Sequence, residues 1–390
     1  MYVYFFIFTE MKNTGRDKLG YINAVRGLAI LLVIVLHAAN AVPALPETFR
    51  YVCGKGAFGV QLFFVASAFT LFRSYSYRIE KEGGAAARNF FIRRLARISP
   101  MYYTAALVYS VICYLKPGYN DGNPLVAWKV LANIFYVNGF IPGAINYIPP
   151  GGWSVGVEMA FYCCVPFLFA RIKNIKKAAI WFVALGAGTV VLKLLIRYAL
   201  IRLQIDYHKP ESWFLYFWFP NQAAVFMAGI VLFFALQLFS TGSKIKTYTG
   251  IAASTIIMVV FAYFKRNIDP YNIIPEHIIL AIFFSINIFF LAQHSIKLFD
   301  NRVTRFLGEI SFSLYLVHFI VIYVLEDYFP FAANPYLHFI ELLGLVILTS
   351  AVISKLCWRF IEQPGIAAGN KYIKRRAHET PAAQLADQIL

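Results

Sequence analysis

The residues of this chain best able to do chemistry lie inside apolar runs. Arg26 and His37 frame the stretch RGLAILLVIVLH. Their spacing is close to three helical turns, so on a helix both share one face. At about 1.5 Å per residue, the imidazole lies roughly 16 Å further along than the guanidinium. That spacing places His37 near the middle of a membrane and Arg26 near its cytoplasmic edge, depths at which ionisable groups are costly and commonly functional. His318 occupies a second run, FSLYLVHF, where Ser311, Tyr315 and His318 form one polar stripe at spacings of four and three. Glu158 lies in GGWSVGVEMAFY, where Ser154, Glu158 and Tyr162 recur every four residues on one face. Two histidines and a carboxylate could hold a proton, orient a base or bind a hydroxyl. They could equally make interhelical hydrogen bonds or a structural ion pair.

The cations form a second group. Arg73 ends one apolar run, and RRLARISP follows a short basic loop. Arg93 and Arg97 are four apart and Arg94 and Arg97 three, so a helix would gather them into one stripe. A planar guanidinium fork suits phosphate. The competing reading is charge that only marks the cytoplasmic side of a membrane protein. Together, the arginines, the histidines and Glu158 suggest a group carried across the membrane plane. Both acyl transfer and a proton-coupled exporter of a saccharide or lipid precursor fit them.

The composition dictates what must position these groups. Of 390 residues, 60% are hydrophobic and only 14% charged. A soluble chain has about 25% charged residues and needs a polar outside. A soluble globule and a disordered chain are therefore both excluded. The net charge of +17 comes with no nucleic-acid motif, and no nucleic-acid partner is expected. Cys53, Cys113, Cys163, Cys164 and Cys357 are an odd set in mostly apolar surroundings. They read as packed thiols, and no metal site is expected.

The expected fold class is an all-α integral membrane protein of about ten transmembrane helices with a cytoplasmic basic loop. A crossing helix needs about 20 apolar residues. Such spans lie near 22–42, 57–76, 100–116, 153–170, 178–196, 213–239, 248–264, 277–294, 306–325 and 338–358. Ser99 and Pro100 read as the start of the third, with Ser as N-cap and Pro in the first turn. Pro166 and Pro220 are expected to bend their helices. Lys and Arg crowd alternate loops, which puts both termini on the cytoplasmic side. The chain divides into a leader over 1–20, a transmembrane domain over 21–364 and a cytoplasmic tail over 365–390. MYVYFFIF is too short to span, and Met11 opens a cleaner leader. No second folded domain is expected after the tenth span.

Six motifs in order resemble the membrane acyltransferase 3 family, the bacterial acyltransferases that modify surface glycans. They are INAVRGLAILLVIVLH, FGVQLFFVASAF, RRLARISPMYY, WSVGVE, ISFSLYLVH and FIEQP, and the resemblance runs from Tyr21 to Pro364. Ala68 departs from it, standing where the family usually has Gly. The resemblance implies no bound cofactor but an acyl-CoA donor, commonly acetyl-CoA. It also implies a hydroxyl acceptor on a saccharide or lipid-linked glycan, in a bacterial inner membrane. By carry-over Arg26 and His37 match the pair considered essential, and Glu158 the family's acidic position. Arg73, Arg93, Arg94 and Arg97 match positions assigned to CoA phosphates or cytoplasmic architecture. On this reading His37 is the general base, with His318 or Glu158 fixing its tautomer or binding the acceptor. Arg26, Ser154 and Tyr315 are oxyanion candidates, and Trp153 and Tyr162 complete the expected binding residues. Acyl-CoA, a saccharide acceptor and membrane lipid are the expected partners. A homo-oligomer is left open.

Overall fold

The computed structural model describes residues 20–116, 125–203, 212–268 and 275–378. Among these there are helices and turns and no strand. The expected leader lies outside them except for Gly20. Nine helical stretches are long and apolar enough to cross a membrane. They cover the ten expected spans, because the single stretch Glu47–Leu115 holds both the second and the third.

The helices are α1 (Gly20–Ala41), α2 (Glu47–Gly54), α3 (Gly59–Glu82), α4 (Ala86–Leu115), α5 (Ala127–Ile134), α6 (Gly152–Arg171), α7 (Ile175–Arg202) and α8 (Ser212–Phe217). There follow α9 (Phe219–Leu238), α10 (Lys244–Ile268), α11 (Glu276–Gln293), α12 (Arg302–Glu309), α13 (Ser311–Tyr328), α14 (Pro335–Cys357) and α15 (Gln363–His378). Helices α1, α3 and α9 make the centre: Ile30, Val65 and Phe226 are fully buried. Helices α7 and α10 lie outside, with Ile180, Val183, Leu195, Ile256 and Val259 all more than half exposed. Apolar side chains on such an outer face need lipid as their solvent. The chain is a multi-pass membrane protein.

Several local expectations change. Pro100 does not start a helix, since α4 runs through it for 30 residues from Ala86. Ser99 does not cap; its hydroxyl accepts a hydrogen bond from Tyr136 at 3.0 Å. A proline inside a helix frees the carbonyl four residues back, here Ala96. Gly365 of α15 packs there, and a Cβ on it would stand 2.6 Å from Ala96 O. The stretch expected as a tail from 365 is therefore helical through His378 and laid along the arginine-bearing part of α4. Pro220 does not bend a long sixth helix. The chain breaks at Trp218, and α9 begins afresh with Pro in its first turn. The ninth span begins at Ser311, because α12 is a separate short helix capped by Asn301 with Thr304. Below its cap lies the interhelix loop residue Asp300, paired to Arg305 at 2.5 Å and receiving Ser295 at 2.8 Å. Burial opposes ionisation there, but these bonds and the Arg305 charge outweigh it and hold the carboxyl below the usual range.

Candidate functional site

A cavity of about 90 Å3 opens between α1, α3, α4, α6 and α13. That is several times the space one water needs. Arg26, Arg94 and Arg97 line it, together with Ser154, Glu158, Tyr162 and Tyr315. Helix periodicity accounts for the gathering: α6 contributes Ser154, Glu158 and Tyr162 from one face, and α4 contributes Arg94 and Arg97 from another.

Each polar group is held from a neighbouring helix. Arg26 donates from Nη2 to Thr70 Oγ1 at 3.1 Å, and Thr70 in turn donates to Ala66 O at 2.9 Å. Ser67, one turn earlier on α3, hydrogen-bonds to Glu158. Arg94 lies 5.6 Å from the Phe90 ring centre and 6.0 Å from that of Tyr162. Its Nε is buried with no hydrogen-bond partner. A buried orphan donor on a guanidinium costs free energy, and such groups concentrate where a ligand supplies the missing acceptor.

The wall opposite the arginines leads to the histidines. Ser154 Oγ donates to Tyr315 OH at 3.0 Å, and Tyr315 OH donates to Gly151 O at 3.0 Å. Gly151 adopts φ +76°, and a Cβ there would stand 2.8 Å from Tyr315 OH. Glycine is needed on both counts. The Tyr315 ring lies 5.9 Å from that of His318, which lies 5.3 Å from that of His37. Phe319 covers both imidazoles, with centres 4.0 Å and 4.4 Å away. His318 is fully buried. Its Nδ1 is 3.2 Å from Leu314 O, a pure acceptor, so Nδ1 carries the proton and Nε2 holds a lone pair. That Nε2 is buried without a partner.

The structure thus arranges the expected residues in two groups joined by Tyr315. Arg26, Glu158, Arg94, Arg97, Ser154 and Tyr162 share the cavity, and His37 and His318 form a ring pair beyond it. His37 sits one turn from the end of α1, while Arg26 sits two turns from its start. The imidazole is therefore in the last third of the described helix.

Besides the two histidines, three expected residues lie outside the cavity lining. Arg93 is paired with Glu82, which also accepts from Arg78 at 3.2 Å and Asn89 at 2.9 Å. Arg73 is one turn beyond Thr70 on α3. Trp153 is buried behind the lining, 6.0 Å from the Phe64 ring and 4.4 Å from that of Phe217. Sequence reasoning missed Ser67 and Thr70. Their only signal was a pair of hydroxyls three apart in the apolar run FFVASAFTLF.

Comparison with known proteins adds a family. The acyltransferase domain model Acyl_transf_3 matches residues 19–356. A Staphylococcus aureus (strain COL) protein named "Putative O-acetyltransferase" is 26% identical over 94% of this chain and 61% of its own length. The peptidoglycan O-acetyltransferase OatA of Listeria monocytogenes is 25% identical over 91% of this chain and 57% of its own. Acyltransferase MdmB of Streptomyces mycarofaciens is 24% identical over 78% of this chain and 79% of its own. The chain spans about three fifths of the length of the first two. No solved structure matches it.

Proposed function

The chain belongs to the Acyl_transf_3 acyltransferase family, and we propose that it is a membrane O-acyltransferase moving an acyl group, acetyl in the first instance, from acyl-CoA to a hydroxyl of a saccharide or lipid-linked glycan. The observation that carries this is the connection of three half-buried arginines to a histidine pair through Ser154 and Tyr315. A donor with phosphates at one end and a thioester on a long thin arm suits two such groups about 16 Å apart along α1. The name of the Listeria relative supports a glycan acceptor. The basic loops support a bacterial cytoplasmic membrane with both termini inside.

In this reading Arg94 and Arg97 meet donor phosphate with charge-assisted hydrogen bonds, and Arg26 lies beside the arm. Glu158, held by Ser67, keeps the arginine-lined cavity from being purely cationic. His37 takes the proton of the acceptor hydroxyl as its oxygen attacks the thioester carbon. The carbon–sulfur bond breaks, and the imidazolium returns the proton to the departing thiolate. His318 is the positioning residue: its Nδ1 is pinned to Leu314 O, and its Nε2 lone pair is available to the His37 ring. The test is label transfer. Protein in lipid nanodiscs, given acetyl-CoA with a labelled acetyl group and peptidoglycan fragments or other glycans, should acylate a hydroxyl. Bound donor with no labelled product from any glycan would reject the reading.

A further inference from the structure

A second cavity, of about 190 Å3, lies away from the arginines, between α7, α8, the first turns of α9 and α11, and Phe58 just before α3. Phe58, Tyr216 and Trp218 supply aromatic walls, and Lys193, Asn221, Glu276 and His277 the polar ones. The polar groups are held in place. Asn221 Nδ2 donates to Tyr216 O at 2.8 Å, and His277 Nε2 lies 2.9 Å from Asn221 O. Lys55 holds one Glu276 oxygen at 2.7 Å. Behind them Gln61 Nε2 donates to Gln222 Oε1 at 3.1 Å, and Gln222 Nε2 to Tyr216 O at 2.8 Å. These bonds leave Asn221 Oδ1, His277 Nδ1 and the second Glu276 oxygen without a hydrogen bond among the described residues.

The chemistry of this lining narrows its ligand. An acyl chain would strand the carboxylate, amide and imidazole without partners, at a desolvation cost. A phosphate would meet the Glu276 carboxylate. A sugar ring satisfies both kinds of wall, with C–H faces against the rings and hydroxyls that donate to Glu276, Asn221 and His277 and accept from Lys193. The position agrees. Trp153 packs between Phe64, which lines the arginine cavity, and Phe217, the residue between Tyr216 and Trp218. The Trp153 indole thus lies between the walls of the two cavities. We infer that this second cavity binds a pyranose ring of the acceptor, apart from the reacting centre. The inference rests on the reading above for the word acceptor, but its binding site stands on the lining itself.

The probes are methyl glycosides of N-acetylglucosamine, glucose, galactose and rhamnose, and the same sugars on an alkyl chain embedded in the nanodisc. Binding is measured on the full chain beside Trp218→Leu and Glu276→Gln, with acetyl-CoA affinity and unfolding temperature as controls. At least one sugar should bind the wild type, and each variant should weaken it about tenfold, Glu276→Gln by loss of a charge-assisted hydrogen bond and Trp218→Leu by loss of the aromatic wall against the ring. Donor affinity should not move and both variants should stay folded, Glu276→Gln with a lower unfolding temperature for loss of its ion pair to Lys55. The stronger of the soluble and embedded forms identifies the source of the acceptor. Sugar affinity unchanged in both variants, or no sugar bound in either form, would overturn the inference. Acetyl-CoA bound without sugar would sink only this site, whereas sugar bound at this site without acetyl-CoA would sink only the donor reading.

Discussion

Substituting Gly151 probes the joint between the cavity and the histidine pair. Gly151→Ala forces a side chain onto a backbone at φ +76°, which costs about 1–2 kcal/mol. Its Cβ would also stand 2.8 Å from Tyr315 OH and 2.9 Å from Tyr315 Cε1, inside ordinary contact, so the tyrosine must move. Moving it breaks the bonds to Gly151 O and from Ser154, each worth about 1 kcal/mol net. The total is about 3–4 kcal/mol. In a Tyr315→Ala background the clash and both bonds are already gone, so the same glycine change should cost only the backbone strain of about 1–2 kcal/mol. Equilibrium unfolding in mixed micelles on the four proteins of the cycle measures this. A coupling of about 2 kcal/mol is expected. Additivity to within about 0.5 kcal/mol would refute the claim that Tyr315 and Gly151 are mutually required.

Other consequences separate the arginines and the loop acid. Arg97→Ala should weaken acetyl-CoA binding about tenfold or more, as loss of a charge-assisted bond does. Arg93→Ala should leave donor affinity unchanged because its guanidinium is committed to Glu82. Isothermal titration reads both, and equal losses would contradict the division. Asp300→Asn should destabilise the protein more at pH 7 than at about pH 3. A carboxyl held low contributes stability above its unfolded pKa of about 3.9, and that contribution is lost as pH falls through the folded value. An equal or larger effect in acid would contradict that sign.

Much of the architecture was legible because lipid is the solvent for most of the surface. Runs such as ILLVIVLH must be helical and must cross, whatever they pack against. Interiors of helices were less legible than their existence. Pro100 reads as a start in isolation, yet α15 covers the carbonyl it frees, and the covering segment is 265 residues later. The site shows the same division. Periodicity put Ser154, Glu158 and Tyr162 on one face, and the cavity uses all three. Periodicity could not say which arginine of RRLAR points inward. That depends on the rotation of α4, which Glu82 settles by taking Arg93 and leaving Arg94 and Arg97 to the cavity. Ser67 and Thr70 gain meaning only from Glu158 and Arg26 on other helices.

In the proposed reaction His37 does chemistry and does not hold the donor. It is tested by measuring acetyl-CoA binding and acyl transfer side by side on wild type and His37→Ala in nanodiscs. The expected result is donor affinity within about threefold and transfer lower by about 10²–10⁴, the usual worth of a positioned base. A folded His37→Ala protein that transfers within a few-fold of wild type would contradict it.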